Sequence, residues 1–284
     1  MIATGFRHAV VIAAAIVAAA GGESAIAADA SAWNQDSHSA TRLIAGDNAR
    51  PAPDGALRAG VEIKLARGWK TYWRYPGDSG VPPRFDFAAS SNVKSVAVLW
   101  PVPHRFKDES GQSIGYKDQL IFPLRVTPQD PSQPVTLRVN LDYGVCEKLC
   151  VPVQATLELP LTRGPSTQDA ALAAAETLVP TPATLGDGKA FAIRSVKRQS
   201  GASPQQVVVD VMAPEHFNVD LFAEGPTQDW ALPLPTPMTG ALAGQRRFTF
   251  ALDGLPPGAK ADGAMLTLTA VAGTTAIEVK ARLD

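Results

Sequence analysis

The sequence predicts an all-β chain arranged as two β-sandwich domains joined by a short helical linker. Three observations carry this. Proline (24) and glycine (23) occur throughout the 284 residues, which disfavours long helices and favours strands joined by turns. Short runs of alternating apolar residues recur at strand length. A single alanine-rich stretch near the middle of the chain breaks that pattern.

Taken in order, the chain opens with Arg7 and His8, an uninterrupted apolar run from Ala9 to Ala20, and small residues leading to Ala25-Ile26-Ala27. A basic, then apolar, then Ala-x-Ala order reads as a cleavable secretory signal over 1–27. The apolar run is shorter than the roughly 20 residues a membrane span needs. No later segment is long and apolar enough to cross a bilayer. The mature chain is therefore expected free in an extracytoplasmic, oxidising space. The formal net charge of -1 comes without a basic block, so nothing points to nucleic acid or an acidic membrane surface as partner.

Within 28–163, the segment Val61-Glu62-Ile63-Lys64-Leu65 alternates, as do VTLRVNL (135–141) and ATLELPL (155–161). These are expected strands of the first domain. Residues 166–179 (STQDAALAAAETLV) open with Ser166 three residues before Asp169 and end before Pro180 and Pro182. Good helix formers between a capping signal and proline stops predict a short helix, and 164–188 is read as the linker. In 189–284 the alternation returns at Phe191 to Val196, Val207 to Val211, Arg247 to Leu252, Met265 to Val271 and Ala276 to Leu283. Strands at this spacing suggest a second sandwich.

The chain has two cysteines, Cys146 and Cys150. Strand-like sequence flanks both, so the three residues between them are expected to form a tight turn that brings the sulfurs within bonding reach. Pro152 and the β-rich flanks argue against a helix here. In the chain-entropy model a loop of about five residues stabilises by only about 2 kcal/mol, against roughly 3 for fifteen. A bond across so tight a loop suits opening and closing, because strained or exposed disulfides are the labile ones. On spacing alone a redox pair and an inert bridge both remain open. A third reading is a soft-metal site, two thiolates holding Cu(I). Zinc would need more ligands, and His104, Met212, Met238 and Met265 are scattered.

The segment Tyr143-Gly144-Val145-Cys146-Glu147-Lys148-Leu149-Cys150-Val151-Pro152 resembles the active-site segment of the amino-terminal periplasmic domain of DsbD-type thiol:disulfide interchange proteins. Its cysteine spacing is closer to the ScsB branch than to the enteric DsbD form. Gly68-Trp69-Lys70-Thr71-Tyr72-Trp73-Arg74-Tyr75-Pro76-Gly77-Asp78-Ser79-Gly80-Val81-Pro82-Pro83 resembles an early stretch of the same domains. Gly115-Tyr116-Lys117-Asp118-Gln119-Leu120-Ile121-Phe122-Pro123-Leu124 is similar to the strand entry after their cap loop. The motifs fall in order across about 40–162, and the resemblance weakens over 188–284. It implies an immunoglobulin-like fold and a thiol–disulfide relay, with Cys146 and Cys150 at the redox positions. It also implies a periplasmic thioredoxin-like protein as partner, and carries the family's associations with cytochrome c maturation and copper tolerance. Complete family members continue into a membrane domain and a thioredoxin-like domain. Their absence from this sequence leads to the expectation of a separate membrane electron-transfer protein. Phe106-Lys107-Asp108-Glu109-Ser110-Gly111 occupies the cap-loop position, with Ser110 where the enteric form has its shielding aromatic. Phe106 and Tyr116 are the candidate substitutes.

Other residues carry paired readings. Trp69, Tyr72, Trp73 and Tyr75 are either sandwich core, where buried aromatics dominate, or a partner-docking surface. A carbohydrate-binding module is the alternative from another class and would need several of these rings exposed together. Asp108 and Glu109 are either proton-handling acids near the thiols or solvated loop residues. Tyr143 is a further candidate accessory beside the cysteines. Lys148 favours a thiolate and Glu147 opposes it, so local charge does not decide which sulfur attacks. No Ser-His-Asp arrangement or phosphate-binding glycine loop stands out, and neither cofactor nor metal is expected.

Overall fold

The computed structural model describes Met1 and residues 28–49, 52, 54–108, 111–199, 201, 204–240 and 243–284; the Asp108 side chain lies outside the description. The expected signal over 1–27 therefore falls, Met1 apart, outside the described residues, as do Glu109 and Ser110. The first eleven strands are β1 (Asn34–Gln35), β2 (Ser39–Ala45), β3 (Leu57–Leu65), β4 (Lys70–Gly77), β5 (Arg84–Asp86), β6 (Val93–Val98), β7 (His104–Asp108), β8 (Gly111–Lys117), β9 (Gln119–Pro128), β10 (Val135–Cys146) and β11 (Cys150–Leu161). Helix α1 (Asp169–Thr177) follows. Then come β12 (Thr181–Pro182), β13 (Ala192–Gln199), β14 (Gln206–Met212), β15 (Val219–Glu224), β16 (Thr236–Met238), β17 (Gln245–Ala251), β18 (Met265–Ala272) and β19 (Thr275–Arg282).

In the first sandwich one sheet runs β1-β2-β3-β9-β6 and the other β11-β10-β4-β8-β7, with β5 added against β10. The second sandwich pairs β12-β19-β18-β15 with β13-β14-β17-β16. The architecture is all-β and immunoglobulin-like, as the alternation and the resemblance led one to expect. Successive strand side chains point to opposite faces, so the inward set of β10 is Val135, Leu137, Val139, Leu141, Tyr143 and Val145, all buried in the first core. From Tyr143 to Cys146 both faces of β10 are buried, because β4 and the residues after it cover the outer face there. The second core gathers Val207, Val209, Val211, Leu221, Trp230, Phe248, Phe250, Leu266, Leu268 and Val279.

Helix α1 is shorter than the sequence predicts and is no free linker. Gln168 takes the N-cap position without a side-chain cap bond. The Ser166 hydroxyl instead accepts from Gln168 N at 3.0 Å and donates to Ala45 O at 2.7 Å. Leu172, fully buried, and Ala175 pack on Ile44 and Ile121 of the first sandwich. Arg58 pairs with Asp169 at 2.5 Å and with Glu176 at 2.8 Å, and Arg125 pairs with Glu176 at 2.6 Å. Within the stretch read as linker, Thr181–Pro182 already forms a parallel pairing with β19.

Candidate redox site

The cysteines face each other across the end of a long antiparallel hairpin. Strands β10 and β11 pair in unbroken register from Val135↔Leu161 to Cys146↔Cys150. Glu147, Lys148 and Leu149 close the tip. The two sulfurs form a disulfide, with Cα atoms 4.2 Å apart. The pair is asymmetric: Cys146 is 2% exposed, whereas Cys150 is exposed. Leu149 beside it projects from the tip, 78% exposed.

What covers Cys146 is Tyr72. Strand β4 lies against β10 with Thr71 opposite Val145 and Lys70 opposite Cys146. Alternation then puts Lys70 and Tyr72 on the face that carries Cys146, and Thr71 on the opposite face. The Tyr72 hydroxyl donates to Cys146 Sγ at 2.7 Å and lies 3.2 Å from Cys150 Sγ. Its ring fits because two neighbours lack a side chain: a Cβ on Gly80, which sits at φ +139, would strike the ring, and one on Gly144 would touch both the ring and Val81. Val81 O accepts from Gly144 N at 3.3 Å, and Thr71 Oγ1 donates to Gly144 O at 2.8 Å. The segment after β4 is thereby tied down over the hairpin.

The same parity removes two expected accessories. Tyr143 and Val145 face the core, one step out of phase with Cys146. The Tyr143 hydroxyl lies 2.7 Å from Ser39 Oγ, and burial, partly offset by that bond, raises its pKa. Tyr116 stands opposite Thr71, packs on Phe122 and donates to Pro101 O at 2.8 Å. Full burial pushes its hydroxyl well above the ordinary range. Neither ring screens the sulfurs. Phe106 is placed otherwise, on the edge strand β7, with Lys117 Nζ 4.7 Å and Lys70 Nζ 5.9 Å from its ring centre. Lys70 also donates to Ser113 Oγ at 2.9 Å. The aromatic beside the sulfurs is thus Tyr72, with Phe106 further along the same face. Asp108 ends β7 opposite Gly111, and Glu109 falls outside the described residues.

The aromatic cluster of the early motif disperses rather than forming one surface. Trp73 is fully buried and Tyr72 2% exposed, which takes both out of any docking face or sugar platform. Trp69 stacks on His38 at 3.7 Å and is partly exposed. Tyr75 donates to Leu232 O of the second sandwich. Burial, then the charges of Asp78 and Glu224, push its pKa up to about 12. Among the described residues no group of three or more His, Cys, Asp or Glu side chains is placed to hold a metal ion. Sequence reasoning missed Gly80, Val81 and the sulfur contact of Tyr72. The pairing of β4 with β10 is a contact between distant segments, and no local pattern signals it.

Fold and site define the class: an immunoglobulin-like β-sandwich domain bearing a hairpin-tip cysteine pair. Residues 40–162 match the family described as thiol:disulfide interchange protein DsbD, N-terminal, in agreement with the resemblance read from the sequence. The chain is also similar in structure to the N-terminal periplasmic domain of ScsB from Proteus mirabilis, with a TM-score of 0.69 and 21% sequence identity. The likeness covers 90% of this chain and 98% of that one, and at this identity it speaks to fold. No curated protein sequence matches the chain. The family and the bonded cysteine pair together support thiol–disulfide interchange as the general chemistry. Among the described residues no helix is long and apolar enough to cross a membrane.

Proposed function

We propose that this protein is a periplasmic thiol–disulfide interchange component that passes electrons through Cys146 and Cys150 to a thioredoxin-like protein. The observation that carries the reading is the asymmetry of the pair: one cysteine exposed at the hairpin tip, the other buried under a tyrosine hydroxyl. Exchange needs a thiolate that can reach a partner disulfide and a second thiol held close enough to resolve the product. Cys150 fits the first role by its exposure, and Cys146 the second by its position opposite it in the hairpin.

In the reduced protein, the Cys150 thiolate attacks one sulfur of the partner disulfide. The partner S–S bond breaks, and its departing sulfur leaves as a thiolate that takes up a proton. Cys146, deprotonated, then attacks Cys150 Sγ, forming the Cys146–Cys150 disulfide and releasing the second partner sulfur. Two electrons and two protons pass to the partner. A hydrogen bond to a thiolate favours the charged form, so the Tyr72 hydroxyl lowers the cost of ionising Cys146 in its buried position. Regeneration requires a dithiol donor, which we assign to a membrane electron-transfer partner.

Single-cysteine variants test the order of attack. The Cys146→Ser protein, keeping exposed Cys150, is expected to accumulate a mixed disulfide with an oxidised thioredoxin-like protein on non-reducing gels. Cys150→Ser should trap little. Equal trapping by the two variants would reject the assigned order, and no trapping by either would reject the relay.

A further inference from the structure

The second sandwich contacts the first through β4, which lies next to β10 of the cysteine hairpin, and through β7, at the far edge of the same sheet. Ladder pairing of β4 with β8 is regular at Lys70, Thr71 and Tyr72, then shifts and resumes only at Gly77. The residues that leave the ladder, directly after Tyr72, are the ones held by the other sandwich. Trp73 packs against Phe222 with ring centres 5.6 Å apart. Arg74 forms a two-pronged pair with Glu224, both contacts 2.7 Å, and reaches Glu278 at 2.5 Å. Tyr75 donates to Leu232 O. Strand β7, the free edge of its sheet, is held the same way. Its Arg105 pairs with Asp220 at 2.7 and 3.1 Å and donates to the carbonyls of Leu221 and Pro235, each at 3.2 Å. Phe106, next along β7, lies on the redox face beside Lys70 and Lys117.

We propose that the second sandwich is a positioning element for the redox pair, with Arg74 and Arg105 clamping β4 and β7 so that Tyr72 stays closed over Cys146. Residues 73–76 of β4 have no register partner on β8, and charge pairs to β15 and β19 fix Arg74 in this irregular stretch. An arginine fork on a carboxylate fixes direction as well as distance, which suits setting a strand more than merely tethering a domain. The consequence for electron transfer rests on the reading of Cys146–Cys150 as a working pair, but the clamp itself does not.

The test is a cycle of full-chain variants read by equilibrium with dithiothreitol, alkylation and mass shift. Glu224→Gln and Arg105→Gln are each expected to lower the constant for reducing the disulfide by about tenfold, or about 30 mV more reducing. Tyr72→Phe should move it the same way. In the Tyr72→Phe background, the interface substitutions should add little, because they act through that tyrosine. Arg247→Gln, which breaks a pair with Asp210 inside the second sandwich, is the control and should leave the constant unchanged. Interface variants that fold but keep the wild-type constant would overturn the proposal, as would effects that add in full to Tyr72→Phe. Should Glu224→Gln fail to fold, Arg105→Gln decides, since Asp220 is the more exposed carboxylate. Dithiothreitol needs no protein partner, so failure to exchange with a thioredoxin-like protein would count against the relay and leave the clamp standing. If the wild-type bond resists dithiothreitol, amide exchange over Lys70–Gly77 reads the clamp directly: faster in both interface variants if it holds, unchanged if it does not.

Discussion

Tyr72 is where the chemistry of single residues is most concentrated. A buried thiolate is costly unless it is hydrogen-bonded, and the Tyr72 hydroxyl at 2.7 Å is placed to bond Cys146 when the bond between the sulfurs opens. Hydrogen bonds to charged groups are worth about 1.5–3 kcal/mol. Tyr72→Phe keeps the ring and removes the donor. The reduced form then loses that stabilisation, and the midpoint potential should become about 30–60 mV more negative, measured in dithiol buffers. Gly80→Ala acts at the same point through space: its Cβ displaces the Tyr72 ring. It should shift the potential in the same direction and also lower the melting temperature. The reading of Tyr72 as a docking residue failed for a physical reason. Adjacent residues in a strand point to opposite faces, so Tyr72 and Trp73 separate, and both are buried, which leaves only the partly exposed Trp69 and Tyr75 near the surface.

At the scale of elements, the hairpin was legible and its neighbours were not. The alternation in 135–141 and 155–161 announces β10 and β11, and their turn fixes the cysteines opposite one another. Strand β4 contains a shift in pairing and an irregular stretch, so its pattern is neither cleanly alternating nor helical, and its place against β10 depends on segments some seventy residues away. Helix α1 was legible as a helix but not as a packed one, because its anchor Leu172 meets Ile44 and Ile121 from distant strands. Leu172→Ala should cost about 2–5 kcal/mol, read by denaturant unfolding, while the isolated disulfide potential stays unchanged. The charges around α1 add a pH dependence. Burial raises the Glu176 carboxyl, but bonds from Arg58 and Arg125 lower it more, so its folded value lies below the ordinary 4.5. Asp169 also lies below its ordinary 3.8, held down first by the Asp47 amide and then by Arg58 against the opposing effect of burial. A depressed acid contributes stability that is complete above its unfolded value and is lost as the pH falls through the folded one. The melting temperature should therefore hold near neutral pH and decline below about pH 4.5, with Glu176→Gln showing a shallower decline.

Over the whole molecule, the two cores are joined where Phe222 and Leu234 of the second sandwich enter the first cluster beside Trp73. Removing so large a buried side chain, in Trp73→Ala, should cost about 3–5 kcal/mol and loosen the contact between the sandwiches along with the first core. Composition and periodicity announce two sandwiches, but not their seating. Arg74 finds its partners 150 and 204 residues away, a separation at which no local pattern survives. Family likeness extends the same lesson. The cysteine-bearing segment matches the DsbD N-terminal family in sequence, whereas the rest of the chain is matched in shape. The central claim is that the hairpin disulfide opens and closes in service. Its most direct test is the midpoint potential of Cys146–Cys150, taken by alkylation and mass shift across a series of dithiol buffers. A reversible two-electron transition is expected in the roughly −270 to −180 mV range of working thiol exchangers. A bond that stays closed below about −300 mV, where structural disulfides lie, would contradict it and leave the hairpin tip as a staple.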